Sequence, residues 1–173
     1  MAITRLNTNS LGTVNQGISV AEQWRLTANK TSDGDINANL SLSNYNGIGN
    51  INASMSESSG IFTFPSTGIW FIQFNAVLEE GSQSSNDGLT RFRILTTTDN
   101  STYNPVAVAQ EGVAGTLFAE FSGHSSVNVI FDVVSTTTHK CKFDVASLTT
   151  GNRLVGNANG IYTNFSFIRL GDT

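Results

Sequence analysis

At 173 residues the chain is long enough to bury one core of its own, and its single cysteine, Cys141, rules out an internal disulfide as the basis of the fold. Nine basic residues against thirteen acidic ones, a net charge of −4, argue against a nucleic-acid partner, which needs clustered Lys and Arg to neutralise phosphates. Only 13% of residues are charged, about half the usual share, so Ser, Thr and Asn must dress the surface, and these are poor helix formers. A rigid β protein, secreted or carried on a particle, suits that composition. No stretch approaches the roughly 18 apolar residues of a membrane span, and Met-Ala-Ile-Thr-Arg-Leu at the start lacks the apolar run of a secretory signal. No membrane partner and synthesis in the cytoplasm are the expectation.

Residues 1–20 mix Asn, Thr, Ser and Gly with isolated Ile3, Leu6, Leu11, Val14 and Ile18, without strict alternation. They read as an extended arm that anchors on a body, a neighbouring subunit or a scaffold, ahead of a single domain over 21–173. Gln23 to Thr27 reads as the first strand. Ile36, Ala38, Leu40 and Leu42 alternate with polar residues as a half-buried strand. Asn46-Gly47 marks a tight turn, and Ile51, Ala53 and Met55 continue as a short strand.

The most strongly patterned stretch runs from Gly60 to Leu78 and reads as two strands and a turn. Phe62 and Phe64 lead into Pro65-Ser66-Thr67-Gly68, whose residues favour a turn. Beyond it, period two puts Trp70, Ile72, Phe74, Ala76 and Leu78 on one face, wholly apolar. Ile69, Phe71, Gln73, Asn75 and Val77 form a mixed second face. Such a strand belongs in the middle of a sheet packed on one side and partly covered on the other, which implies a partner sheet and a partner subunit.

Glu79 to Gly88 then reads as a polar loop and Leu89 to Leu95 as a strand with Phe92 and Ile94 opposite Arg91 and Arg93. After a polar connection over Thr96 to Asn104, Val106 and Val108 alternate with Ala107 and Ala109. Strands are expected at Val113 to Phe121, Val127 to Val133, Lys140 to Val145 and Ile161 to Leu170. Cys141 alternates with Phe143 and Val145 and reads as core. In all, about ten strands and no helical period predict an all-β antiparallel sandwich or jelly roll.

Asn50, Met55, Phe62, Gly68, Trp70, Ile72 and Phe74, read together, resemble the signature of the globular head of complement component 1q and its tumour-necrosis-factor-like relatives. The closing Asn164-Phe165-Ser166-Phe167-Ile168 looks like that family's last strand. Met55 stands where the family has an aromatic, and Asn44, beside Tyr45, where it has an upstream Phe. The resemblance implies a ten-stranded jelly roll assembling as a homotrimer, with aromatic faces of one sheet meeting around a threefold axis. Phe62, Phe64, Trp70, Phe71, Ile72, Phe74, Phe165 and Phe167 are then core or trimer-interface residues. Glu57 to Gly68, Thr96 to Tyr103 and the opening arm also look like virion proteins of tailed phages.

Catalysis has little to build on. His124, expected in a Ser/Gly turn, and His139, at a strand start, lie in no hydrolase or zinc motif. Asp33-Gly-Asp35-Ile-Asn37 starts like a calcium loop but carries Ala38 where Gly is needed and Asn44 where a bidentate Glu is needed. An irregular calcium site using Asp33, Asp35, Asp87 or Asp99 stays open, and no other cofactor is expected. The expectation is therefore a structural virion protein: a trimeric capsid decoration, or cement, protein held by its arm to the major capsid protein or another virion scaffold. The alternative is the tip of a tail or head fibre that recognises host surface glycan or protein, with Tyr45, Tyr103 and Tyr162 as exposed aromatics.

Overall fold

The computed structural model describes residues 17–80, 88–113 and 122–173. They form twelve strands and no helix: β1 Ala21–Leu26, β2 Gly34–Asp35, β3 Leu40–Leu42, β4 Ser56–Ser58, β5 Ile61–Thr63, β6 Gly68–Glu80, β7 Gly88–Thr97, β8 Asn104–Val113, β9 Ser122–Val133, β10 Lys140–Ala146, β11 Asn152–Leu154 and β12 Asn164–Gly171. All pairings are antiparallel, and they make two sheets packed as a sandwich. In the first, β6 has β9 along one side and β12 then β11 along the other, and β1 and β3 continue beyond β12. In the second the order is β4, β5, β10, β7, β8, with β2 also pairing β10.

The long β6 organises the molecule, and its two faces fall as its period-two pattern predicts. Trp70, Ile72, Phe74, Ala76 and Leu78 are fully buried, while Ile69, Phe71, Gln73, Asn75 and Val77 are half-buried on the outside. Phe62 on β5 meets the rings of Trp24, Phe143, Phe165 and Phe167 at centroid distances of 5.0 to 6.3 Å, so one aromatic cluster joins the sheets. Full burial of each such side chain is worth about 1.5–3 kcal/mol, and ring pairs add roughly 0.5–1.5 kcal/mol. Cys141 lies in this core, opposite Phe62 in register, and burial pushes its thiol pKa far up, which leaves it unreactive.

Several expected elements differ. The Gly60 to Leu78 stretch is two strands and a turn, but the turn is no hairpin: β5 pairs β4 and β10 in one sheet while β6 lies in the other. Pro65 to Gly68 is thus a crossing between layers. Gly68 sits there at φ +138, and a Cβ on it would lie 2.4 Å from the Gly171 carbonyl oxygen. Ile36 to Leu42 is not one strand: only Leu40–Leu42 pairs, in the first sheet, whereas β2 in the second sheet ends at Asp35, and Asn39 at φ 59 lies in the passage between them. Ala38 is exposed as a result.

Asn46 and Gly47 do form the expected tight turn, both at positive φ, closed by Ile48 N donating to Tyr45 O at 3.0 Å. Ile51 to Met55 supplies only a bridge between Ile51 and Ala21, and strand pairing resumes at Ser56. Glu79 and Glu80, Thr96 and Thr97 belong to strands rather than to the polar connections, and β9 starts at Ser122 instead of Val127. The last strand starts at Asn164, since Ile161 to Thr163 is a bend. Most of the strand expected at Val113 to Phe121 lies outside the described residues. So do Ile3, Leu6, Leu11 and Val14 of the arm, and Asp87.

Candidate interaction face

The register of the first sheet sets its outward side chains in rows that run across the strands. Ile51 stands opposite Ala21, Ala21 opposite Ile168, Ile168 opposite Phe71 and Phe71 opposite Ile130. Five apolar residues thus line up from one edge of the sheet to the other. Ile130 is 64% exposed and Ile51 46%, so the row meets solvent at both ends.

The next row along the strands holds Gln23, Ser166, Gln73 and Asn128. It is uncharged as well, and two of its amides, Gln23 and Gln73, bond to the neighbouring row. Gln23 Nε2 donates to Asn164 Oδ1 at 3.3 Å, Asn75 Nδ2 to the same oxygen at 3.0 Å, and Gln73 Nε2 to Ser126 Oγ at 3.2 Å. Charge returns with Asp132 beyond the apolar row, with Arg25 in the third and, further along the same face, with Glu79 paired to Arg153 at 2.9 Å. Arg25 is itself engaged by Leu42 O, Ala158 O and the ring of Tyr45, 4.3 Å away.

A hollow of about 250 Å³ opens on this face, floored by Ala21, Gln23, Ser166 and Ile168 and walled by Ile48 and Asn50. Its wall is held firmly: Asn50 Oδ1 accepts from Gln23 N at 3.0 Å, and Asn50 Nδ2 donates to Ser43 O at 2.8 Å. Behind it, buried Glu22 accepts from Met55 N at 2.7 Å. Desolvation raises the Glu22 pKa despite that bond.

The outer face of the second sheet is mixed, with exposed Leu89, Val106 and Val108 set among ion pairs. Arg93 makes a bidentate pair with Asp144, its Nε donating to Oδ1 at 2.7 Å, and Lys142 pairs with Asp35 at 2.8 Å. Arg91 is exposed beside them. The Asp144 carboxylate holds the Arg93 guanidinium still more firmly in its charged form.

The residues singled out from sequence distribute unevenly. Phe62, Phe64, Trp70, Ile72, Phe74, Phe165 and Phe167 all lie in the core between the sheets, and of that set only Phe71 faces outward. The aromatics of the last strand therefore pack within one chain rather than between chains. Ile18, the one described apolar residue of the arm named above, is 49% exposed, while Val20 beside it is buried. His124 sits in β9 and not in a turn, exposed beside Val77 in register. His139 is buried, stacked on Phe131, with Nδ1 3.0 Å from Thr138 Oγ1.

The aspartates serve the fold. Asp33 accepts from the backbone of Ser147 and Leu148, Asp35 pairs with Lys142, and Asp99 accepts from Thr97 Oγ1 and from the N–H groups of Ser101 and Thr102. Those donors hold the Asp99 pKa well below the usual carboxylate range. Among the described residues no three His, Cys, Asp or Glu side chains gather as a metal site. Lys142 lies over the Tyr103 ring on the second sheet, and of the three tyrosines only Tyr162 is exposed.

Nothing in the sequence singles out Ile130, Ile51 and Ile48 as functional. The available signal was Ile130 itself, an isoleucine in the polar register of β9 between Asn128 and Asp132. A scan against protein-family models finds no match, and a search of curated proteins returns no significantly similar sequence.

Proposed function

We propose that the protein is a non-enzymatic jelly-roll homotrimer that decorates a tailed-phage particle, with the outer face of its first sheet turned toward the other copies. The uncharged apolar row across that face carries the reading. A sheet face exposed to water gains nothing from Phe71, Ile168, Ile130 and Ile51 in one line, whereas burial against another copy does. The strand pairings support the jelly roll: β1 with β12, β5 with β10, β6 with β9 and β7 with β8 nest inside one another, as in a long hairpin wrapped around a barrel. The low charge, the Ser/Thr/Asn surface and the resemblance of several segments to phage virion proteins support the particle setting.

The test is the mass of the full-length protein in solution, beside a chain lacking residues 1–20, followed by addition of each to undecorated particles. Trimers in both cases, with only the full-length form binding and protecting particles from heat, are the expected result. A monomer, or an arm that is dispensable for attachment, would overturn the trimer or the anchor respectively.

A second reading, a fibre tip that recognises host glycan, is favoured by one observation. A hollow of about 190 Å³ at the end of the sandwich is lined by Asn29, Lys30, Thr31, Ser32 and Asn37, the hydroxyl and amide chemistry that meets sugar hydroxyls. Retention of the purified protein on host polysaccharide would support it over the first.

A further inference from the structure

We infer that the polar hollow of about 190 Å³ at the end of the sandwich takes one carboxylated sugar ring, a uronic acid, with the Lys30 ammonium meeting its carboxylate. This rests on the glycan reading given second above and names the class of glycan. Arg5 lies outside the described residues, and of the eight other Lys and Arg side chains seven have a hydrogen-bond or ion-pair partner within the chain. Lys30 alone among the described residues has none, and it is half-buried in the lining of this hollow. Thr31, Ser32 and Asn37 stand exposed around it, and among the described residues no group bonds to their side chains.

The frame that carries these free groups is fixed on both sides. Lys30 N donates to Leu154 O at 3.0 Å, Leu154 N donates back to Lys30 O at 2.9 Å, and Asn29 Oδ1 accepts from Gly156 N at 3.0 Å. Opposite them, Ile36 N donates to Phe143 O at 2.8 Å and Thr27 N to Asn39 O at 2.7 Å. A backbone already in place leaves less freedom to be lost when a ligand binds. The volume lies below the roughly 300–1,000 Å³ of sites for drug-sized ligands, which suits one ring rather than a chain. A uronic acid keeps the footprint of a neutral hexose, because its carboxylate takes the place of the exocyclic alcohol, whereas a sulfate or phosphate ester adds a group beyond it. Phosphate would also bring a second charge near Asp33, which follows Ser32 in the chain. With −4 on the whole chain, long-range attraction does not draw an acidic polymer in, so recognition is local: one ion pair among neutral hydrogen bonds.

The test titrates the full chain, followed by nuclear magnetic resonance, with galacturonate oligomers, with their methyl esters, which keep the ring hydroxyls and lose the charge, and with dextran sulfate. Galacturonate binding that falls about tenfold or more on esterification and in Lys30→Gln, and is kept in Lys30→Arg, is the expected result. Thermal unfolding verifies the fold of both variants. Equal binding of acid and ester, or acid binding untouched by Lys30→Gln, would overturn the inference and leave the glycan reading standing. Dextran sulfate bound as tightly as galacturonate would overturn it in favour of a non-selective anion contact. A chain retained on host polysaccharide that ignores galacturonate would overturn the uronic acid alone, and a chain that binds neither would overturn both.

Discussion

Phe62→Ala is the sharpest probe of how the two sheets are joined. Phe62 is fully buried and touches four aromatic rings, two on the first sheet's last strand, one on its β1 and one on β10 of its own sheet. Truncation of a buried phenylalanine costs about 3–5 kcal/mol, part for lost transfer and part for the cavity left behind. For a domain of this size each kcal/mol moves Tm by roughly 2–4 °C, so the expected drop is about 6–20 °C. Phe62→Leu keeps most of the volume and loses the ring pairs, so it should cost about 1–2 kcal/mol, or about 2–8 °C. Thermal unfolding followed by circular dichroism at one fixed protein concentration separates the two, the fixed concentration removing the contribution of association. Equal drops for both variants, or an alanine drop under about 2 °C, would refute the claim that this cluster ties the layers together.

Three further substitutions follow from the geometry. Phe71→Ser removes the centre of the apolar row from a half-buried outer position; it should leave Tm of the isolated chain within about 2–4 °C, roughly the effect of 1 kcal/mol, while lowering the mass seen by light scattering to that of a monomer. Gly156→Ala would place a Cβ 2.2 Å from Ala28 O and 2.4 Å from its carbonyl carbon, both backbone atoms, so a loss of several kcal/mol in denaturant unfolding is expected. For Glu22 the folded pKa lies above 4.5, so the fold favours its protonated form: that contribution is complete below pH 4.5 and is lost as pH rises through the folded value. Glu22→Gln keeps an acceptor for Met55 N, so it should flatten this part of the stability curve and be at least as stable as the parent at pH 7. A steeper pH dependence in the variant would contradict the assignment.

What could be read in advance was whatever a local period encodes. Thirteen residues of β6 declare both faces, since alternation over that length has no helical counterpart, and Asn46-Gly47 declares its turn because few residues accept positive φ. What could not be read was which sheet a strand joins. Ile36 to Leu42 alternates as one strand would, yet Asn39 passes the chain between layers, and alternation is blind to that change. The Pro65 to Gly68 turn hides the same step, since a hairpin and a crossing use the same residues. Ile130 was hidden differently. One isoleucine among Ser, Asn and Asp carries no periodic signal, and it becomes part of a row only when β9 is laid beside β6 in register.

The two outer faces then make a single argument. Both cover the same core and both are built from long antiparallel strands, so folding alone places no different demand on them. Yet one carries the pairs Arg93–Asp144 and Lys142–Asp35 with exposed Leu89, Val106 and Val108 among them, and the other carries an unbroken apolar row beside an uncharged amide row, with the Glu79–Arg153 pair only at the far end of β6. Amides already bonded within the sheet, as those of Gln23 and Gln73 are, lose less when water leaves than unpaired charges, whose burial is expensive. A face of that composition can be desolvated at low cost, and the apolar row beside it supplies the gain. On the second sheet the exposed apolar side chains sit among ion pairs, whose desolvation is costly. Under the proposed trimer, the unbroken apolar row, and not the aromatic core, is the feature that would favour the first sheet for contact with further copies.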